Sequence, residues 1–452
     1  MKRKIALLCA LSIFSLVITP SAHSAIKFGA TCKKAGAKTT SGGTKFTCIK
    51  SGKKLIWSDW VISPSIPKTP TPPPVKPQTN NAKVIYSDSS EFAPIGDCKP
   101  IGPTNFNMGE SLGFPRPTNA IPTLGIHKTL VFFVDFLDVP FQAKQISEWK
   151  INQIPTFRKY ISGMSYGKLD YEVVLDERVF HIKKSSLSYN LDKPHDAPMK
   201  ANANGRGLLR DAIAAADQDI DFSKYEFFNV VMPATPTIGA EGTNSDGLVI
   251  DGKEFNFSSM GPIQQYVDNP KQKIWFLHES GHMMGLVHGF SGGANMPIWG
   301  AMSNGSSPEP EFMAWERFLL GWISDEQNIC IDSKSPKTYV VSIAPLSESK
   351  DSKKMVTIRI DEKRMLVVEY RTANPLSSIS AKDEGVLAYT VDVSKPSNQG
   401  AMQTVFSPSN QHLKEIATMI SGEESTFENL TVKVLGNYKD RSDLEITVKK
   451  RS

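Results

Sequence analysis

Residues 278–288 read His278-Glu279-Ser280-Gly281-His282-Met283-Met284-Gly285-Leu286-Val287-His288. His278 and His282 are four apart, so on a helix both imidazoles leave one face, a turn apart. That spacing lets two ring nitrogens reach one Zn²⁺ at about 2.0–2.1 Å. Glu279 follows the first of them and can approach water on the metal without ligating it. Gly285 permits a left-handed backbone, which ends the helix and turns the chain. The turn would bring His288 back as a third ligand. Three neutral imidazoles leave a fourth position open, as catalytic rather than structural zinc requires. Five specified residues at these spacings arise by chance with a probability on the order of 10⁻⁵ in a chain of this length and composition.

Outward from this stretch, the pattern predicts a helix over 274–286 and another over 311–320. Residues 129–134, TLVFFV, form a continuous apolar run, the mark of a buried strand, and 227–232 read the same way. Residues 208–216 have helical spacing, with Leu208, Leu209, Ala212, Ile213 and Ala216 on one side. Residues 247–257 alternate and read as an edge strand. This mixture predicts an α/β to α+β domain over 83–334, with a mixed twisted sheet and a helix carrying the histidines. From about 335 the period changes to two. Short strands are expected at 339–343, 355–360, 365–370, 385–391, 431–435 and 444–448. Together they predict a β-sandwich-like domain over 335–452.

The front of the chain differs. Residues 1–25 hold Lys2, Arg3 and Lys4, an apolar run and then small residues, the pattern of a secretory signal peptide. No later apolar run is long enough to span a bilayer. Residues 26–62 read as a small basic module bridged by Cys32 and Cys48, and 63–82 as a Pro-rich spacer. Residues 26–82 carry ten lysines against one acidic residue, Asp59. An anionic cell-wall surface is therefore the partner expected for the module. The overall formal charge of +6 is too small and too spread out to argue for nucleic acid. Signal cleavage would leave four cysteines, Cys32, Cys48, Cys98 and Cys330, an even number that reads as two disulfides in an exported chain. His127, His181, His195 and His412 have no ligand spacing and read as surface or satisfied polar groups.

The 278–288 stretch resembles the motif of the metzincin zinc peptidases, HExxHxxGxxH followed by a methionine turn. Gly300-Ala301-Met302-Ser303 looks like that turn, and the resemblance implies that Met302 lies beneath the metal. Several metzincins carry a tyrosine two residues after this methionine; here the position is Asn304, so no ligand is expected from it. The flanks are similar to the bacterial immune-inhibitor-A-type metallopeptidases, over roughly residues 125–395. The resembling segments are Ser165-Tyr166-Gly167-Lys168-Leu169, Ala314-Trp315-Glu316, Leu320-Gly321-Trp322, Glu369-Tyr370-Arg371 and Gly385-Val386-Leu387. That group often has aspartate as third ligand, where this chain has His288.

The resemblance implies a secreted zinc endopeptidase acting on protein or peptide substrates, with Glu279 as general base and substrate held along the 247–257 edge. The alternative is a secreted or wall-attached binding protein that retains a metallopeptidase fold. Structural Ca²⁺ has no support in the pattern. Two readings stand for Cys98 beside the other possible cysteine pairings. In one it bridges Cys330, tying the domain's entry to its exit. In the other it ligates the zinc as a thiolate and holds the enzyme latent, as cysteines do in some metzincin propeptides.

Overall fold

The computed structural model describes residues 31–41, 44–51, 54–58, 84–103, 110–141, 143–189, 198–233, 241–262, 274–289, 298–303, 309–377, 379–406 and 417–450. The expected signal peptide over 1–25, the spacer over 63–82, Asn304, His195 and His412 lie outside them. The chain divides into two compact units, Met1–Ala82 and Lys83–Ser452. Among the described residues no helix is long and apolar enough to cross a membrane.

The first unit holds an antiparallel three-stranded sheet, β1 (Lys38–Ser41), β2 (Thr44–Ser51) and β3 (Lys54–Ser58), in the order β1-β2-β3. A disulfide joins Cys32 to the buried Cys48 of β2.

The second unit begins with a five-stranded sheet. Its strands are β4 (Gly125–Phe136), β5 (Leu169–Ile182), β6 (Phe227–Met232), β7 (Glu241–Ile250) and β8 (Lys253–Pro262). They lie in the order β5-β4-β6-β8-β7, all parallel except β7, which runs antiparallel to β8 at one edge. The helices α1 (Ala143–Glu148), α2 (Ile154–Met164) and α3 (Pro198–Ala216) connect the strands, and α4 (Trp275–Met283) follows them. Alternate residues of β4 serve different layers. Val131 and Phe133 pack with Phe157 and Ile161 of α2 and Phe276 of α4. Leu130, Phe132 and Val134 pack with Leu208, Leu209 and Ala212 of α3. TLVFFV is continuously apolar because both faces of the sheet are covered.

Residues 247–257 are a hairpin, not the single edge strand expected. Asp251 (φ 51°) and Gly252 (φ 74°) turn β7 into β8, and β7 alone occupies the edge. Asp-Gly between alternating residues is a strong hairpin signal.

The helix α5 (Ala314–Leu319) then leads into two further sheets. Their strands are β9 (Asn328–Asp332), β10 (Lys337–Ile343), β11 (Met355–Arg359), β12 (Arg364–Arg371), β13 (Gly385–Asp392), β14 (Met402–Thr404), β15 (Glu424–Phe427), β16 (Leu430–Asn437) and β17 (Ser442–Val448). One sheet runs β14-β13-β12-β11-β9 and the other β10-β17-β16-β15. Val356, Ile358, Leu366 and Val368 meet Val341, Ile343, Val432, Leu444 and Ile446 between the two sheets. The opposite face of the five-stranded sheet is also buried. Met355, Met365, Val367, Leu387 and Tyr389 share a core with Val287, Trp299, Met313, Trp315 and Phe318. The segments 83–334 and 335–452 are thus joined by a common core that reaches the residue before His288.

Cys98 and Cys330 form a disulfide that ties the start of the second unit to β9. Cys98 is therefore not a free thiol, and the thiolate-ligand reading falls.

Candidate metal centre

The first two histidines project from α4, a helix whose nine residues are all buried. Its end is set by Gly285, at φ +93°. The Gly285 N–H donates to His282 O at 2.8 Å and the Leu286 N–H to Gly281 O at 3.0 Å, the paired bonds of a Schellman cap. A Cβ at Gly285 would also meet Pro117 Cδ at 3.1 Å. The cap reverses the chain and returns His288 over the helix. Its Nε2 lies 3.1 Å from Nε2 of His278 and 3.2 Å from Nε2 of His282. Each of the three histidines offers one ligand atom, all within 4.8 Å of one another, and together they could hold a metal ion.

Every Nδ1 in the group has its own partner. That of His278 lies 2.6 Å from Ala301 O, and that of His282 lies 2.9 Å from Leu286 O and 3.3 Å from Glu110 Oε1. That of His288 lies 3.1 Å from Ser397 Oγ. A carbonyl oxygen only accepts, so Nδ1 of His278 and of His282 carries the ring proton. Their Nε2 atoms then direct lone pairs at the point where His288 also arrives. A proton or a metal ion between such nitrogens offsets their repulsion, and neutral imidazole nitrogen is a preferred donor for zinc. The donor set therefore fits a metal ion that takes imidazole nitrogen, zinc among them.

Charge in the cluster follows from burial. His278 is held well below the ordinary histidine range by burial, and further by His282 and His288. His288 is pushed down to about 3 by burial first and by His282 next. Burial alone would depress His282 as well, but Glu110 and then Glu279 outweigh it and raise it to about 9. Without metal His282 therefore holds a proton on Nε2 as well as on Nδ1, facing its neighbours' lone pairs, and a metal ion would displace it.

Glu279 is buried on α4 beside His278, close enough for its charge to act on His282. Met302 lies within a turn that begins at Gly300 (φ 75°) and closes through the Ser303 N–H to Gly300 O, 3.0 Å. The same turn aims Ala301 O at His278. Met302 is fully buried, and its Sδ lies only 2.2 Å from where a Cβ on Gly281 would stand. Glycine between the two helix ligands is thus what lets the turn approach α4. Replacing Gly281 by valine should lower stability by about 2–3 kcal/mol through overpacking against Met302 and Phe312. Urea unfolding measures this, and an unchanged midpoint would show that Met302 has other space to move into.

The remaining described histidines stand apart from this cluster. His127 Nε2 bonds Leu124 O at 2.7 Å and His181 Nδ1 bonds Asp135 at 2.6 Å. The segments that resemble the immune-inhibitor-A group gather around α5. Glu369 accepts from the Ala314 N–H at 2.7 Å and from Tyr389 Oη at 2.8 Å. Arg371 stacks 5.2 Å over Trp299, and Tyr166 Oη donates to Leu346 O at 2.7 Å. Their contacts are with α5, Trp299 and Leu346 rather than with the histidines.

Sequence reasoning missed Glu110, Ser397 and Asn398. None has a spacing relation to the motif, and no local signal marks them. Glu110 begins a segment that wraps the end of α4. In it the Ser111 N–H donates to Gly285 O at 3.1 Å, the Ile121 N–H to Met283 O at 3.0 Å, and Arg116 to Met284 O at 3.2 Å. A scan of known protein families finds no match to this sequence, and a search of curated proteins finds no significant similarity.

Proposed function

We propose that the chain is a secreted zinc endopeptidase of the metzincin type. The observation that carries this reading is the convergence of three histidine Nε2 atoms whose Nδ1 atoms are all engaged, with Glu279 on the same helix. When bound, Zn²⁺ would supply Lewis acidity, bringing water at its open position to a pKa of about 7 and polarising a scissile carbonyl. Glu279 takes the proton of the attacking water and returns it to the leaving amine. Ala301 O and Glu110 hold the rings of His278 and His282 so that Nε2 faces inward. An extended peptide would add to β7, the antiparallel edge of the sheet, through main-chain hydrogen bonds. The two disulfides and the 1–25 pattern support export to an oxidising compartment.

Casein hydrolysis with and without a zinc chelator tests the activity. Hydrolysis should stop with the chelator and return with added Zn²⁺. No hydrolysis under any metal condition would favour the binding-protein reading instead.

The lysine-rich front module, on the same proposal, retains the enzyme at an anionic wall. A chain beginning at residue 83 should bind isolated cell walls less than the whole chain, with the larger difference at low salt. Equal binding of both at low salt would end this idea.

A further inference from the structure

His278 and His282 take their orientation from α4. His288 does not, because it lies three residues beyond Gly285 on chain that is neither helix nor strand. A ring on irregular backbone keeps a fixed direction only if other groups hold it. The loop between β13 and β14 does so at several points. The His288 N–H donates to Ser397 Oγ at 3.0 Å, and the Asn398 N–H donates to His288 O at 3.0 Å. Ser397 Oγ is also 3.1 Å from His288 Nδ1. One residue further, the Met402 N–H donates to Gly289 O at 2.7 Å. A Cβ on Gly289 would meet Met402 Sδ at 2.6 Å, so the two strands of chain are in close contact.

From this clamp we infer that Ser397 and Asn398 are positioning residues for the third ligand, so that the β-rich C-terminal part of the chain completes the metal centre. The inference rests on reading the three histidines as a metal centre. With Nε2 turned to the metal, the proton of a neutral His288 ring sits on Nδ1, and Ser397 Oγ is its acceptor. A hydroxyl oxygen has two lone pairs and can take both the backbone N–H and the ring N–H of His288. Asn398 reaches His288 from a left-handed backbone, φ 63°, a conformation asparagine tolerates better than most residues. The loop is itself braced. The Asp392 N–H donates to Ala401 O at 2.7 Å, and the Gln399 N–H to Pro396 O at 3.3 Å. Behind it stands a sheet buried on both faces. The clamp thus gives His288 the rigidity that α4 gives the other two.

The test is competitive zinc titration of the full, metal-stripped chain against a chromophoric chelator. Ser397→Ala should bind zinc about 10–100-fold more weakly, the usual loss when an outer partner of a metal-ligating histidine is removed. Ser397→Thr keeps the hydroxyl and should stay close to the parent. Asn398→Gly keeps the left-handed backbone and the N–H that binds His288 O, and should also stay close to the parent. Should Ser397→Ala fail to fold, as read by circular dichroism, Ser397→Cys, whose sulfur accepts hydrogen bonds only weakly, decides the question and should likewise bind zinc more weakly. Folded Ser397 variants without the hydroxyl that bind zinc as tightly as the parent would overturn the inference and leave the metal-centre reading standing. A parent chain that binds no zinc would overturn both.

Discussion

Glu279→Ala is expected to keep its fold and one zinc per chain while losing about 10²–10⁴-fold in kcat, the usual contribution of a general base. The expectation comes from position. Glu279 adjoins His278 on α4, is buried, and is absent from the group of histidines that could hold the metal. Removing it should therefore spare the metal and remove the proton acceptor. Glu279→Gln preserves the shape without the basicity and should fall by a similar factor, which separates proton transfer from packing. Turnover within a factor of two of the parent would remove Glu279 from this role.

His288→Ala should lose zinc altogether, and hydrolysis with it. Two ligands would remain on α4, one turn apart, with no third to close the site. Because losing only an outer partner of a ligand costs about 10–100-fold, losing a ligand itself must cost more. Elemental analysis after gel filtration should find zinc at background. Full occupancy would show that His288 is not a ligand. The fold should survive, because His288 is only partly buried while its neighbours Leu286 and Val287 carry the packing.

Much of this centre was legible because its chemistry is local. His278, Glu279, His282, Gly285 and His288 fall within eleven residues, and helix period and the glycine turn relate them without further knowledge of the fold. The predicted helix over 274–286 overshoots α4, which stops at Met283, because periodicity does not show where the cap begins. The buried strands β4 and β6 were equally plain, their apolar runs reflecting a sheet covered on both faces. Strand β5 was not legible. It borders the sheet and pairs only with β4, so Asp170, Glu172, Asp176, Glu177 and Arg178 are tolerated along it and hide its pattern. The strand β14 is too short to carry a period, and β9, buried at four of its five residues, does not alternate.

The groups that hold the ligand rings were the least legible. Ser397 lies 109 residues from His288, and Ala301 contributes only its backbone oxygen, which any residue would offer. Such contacts arise from the packing of one sheet against another part of the chain. The expected division at 334 therefore separates segments that share both a core and a histidine's partners.

X-ray absorption at the zinc edge of the purified, zinc-loaded chain tests the central claim most directly. Three imidazole nitrogens and one oxygen at about 2.0–2.1 Å are predicted, with the multiple-scattering pattern of histidine. A shell containing sulfur, or one of oxygen atoms without imidazole, would contradict it.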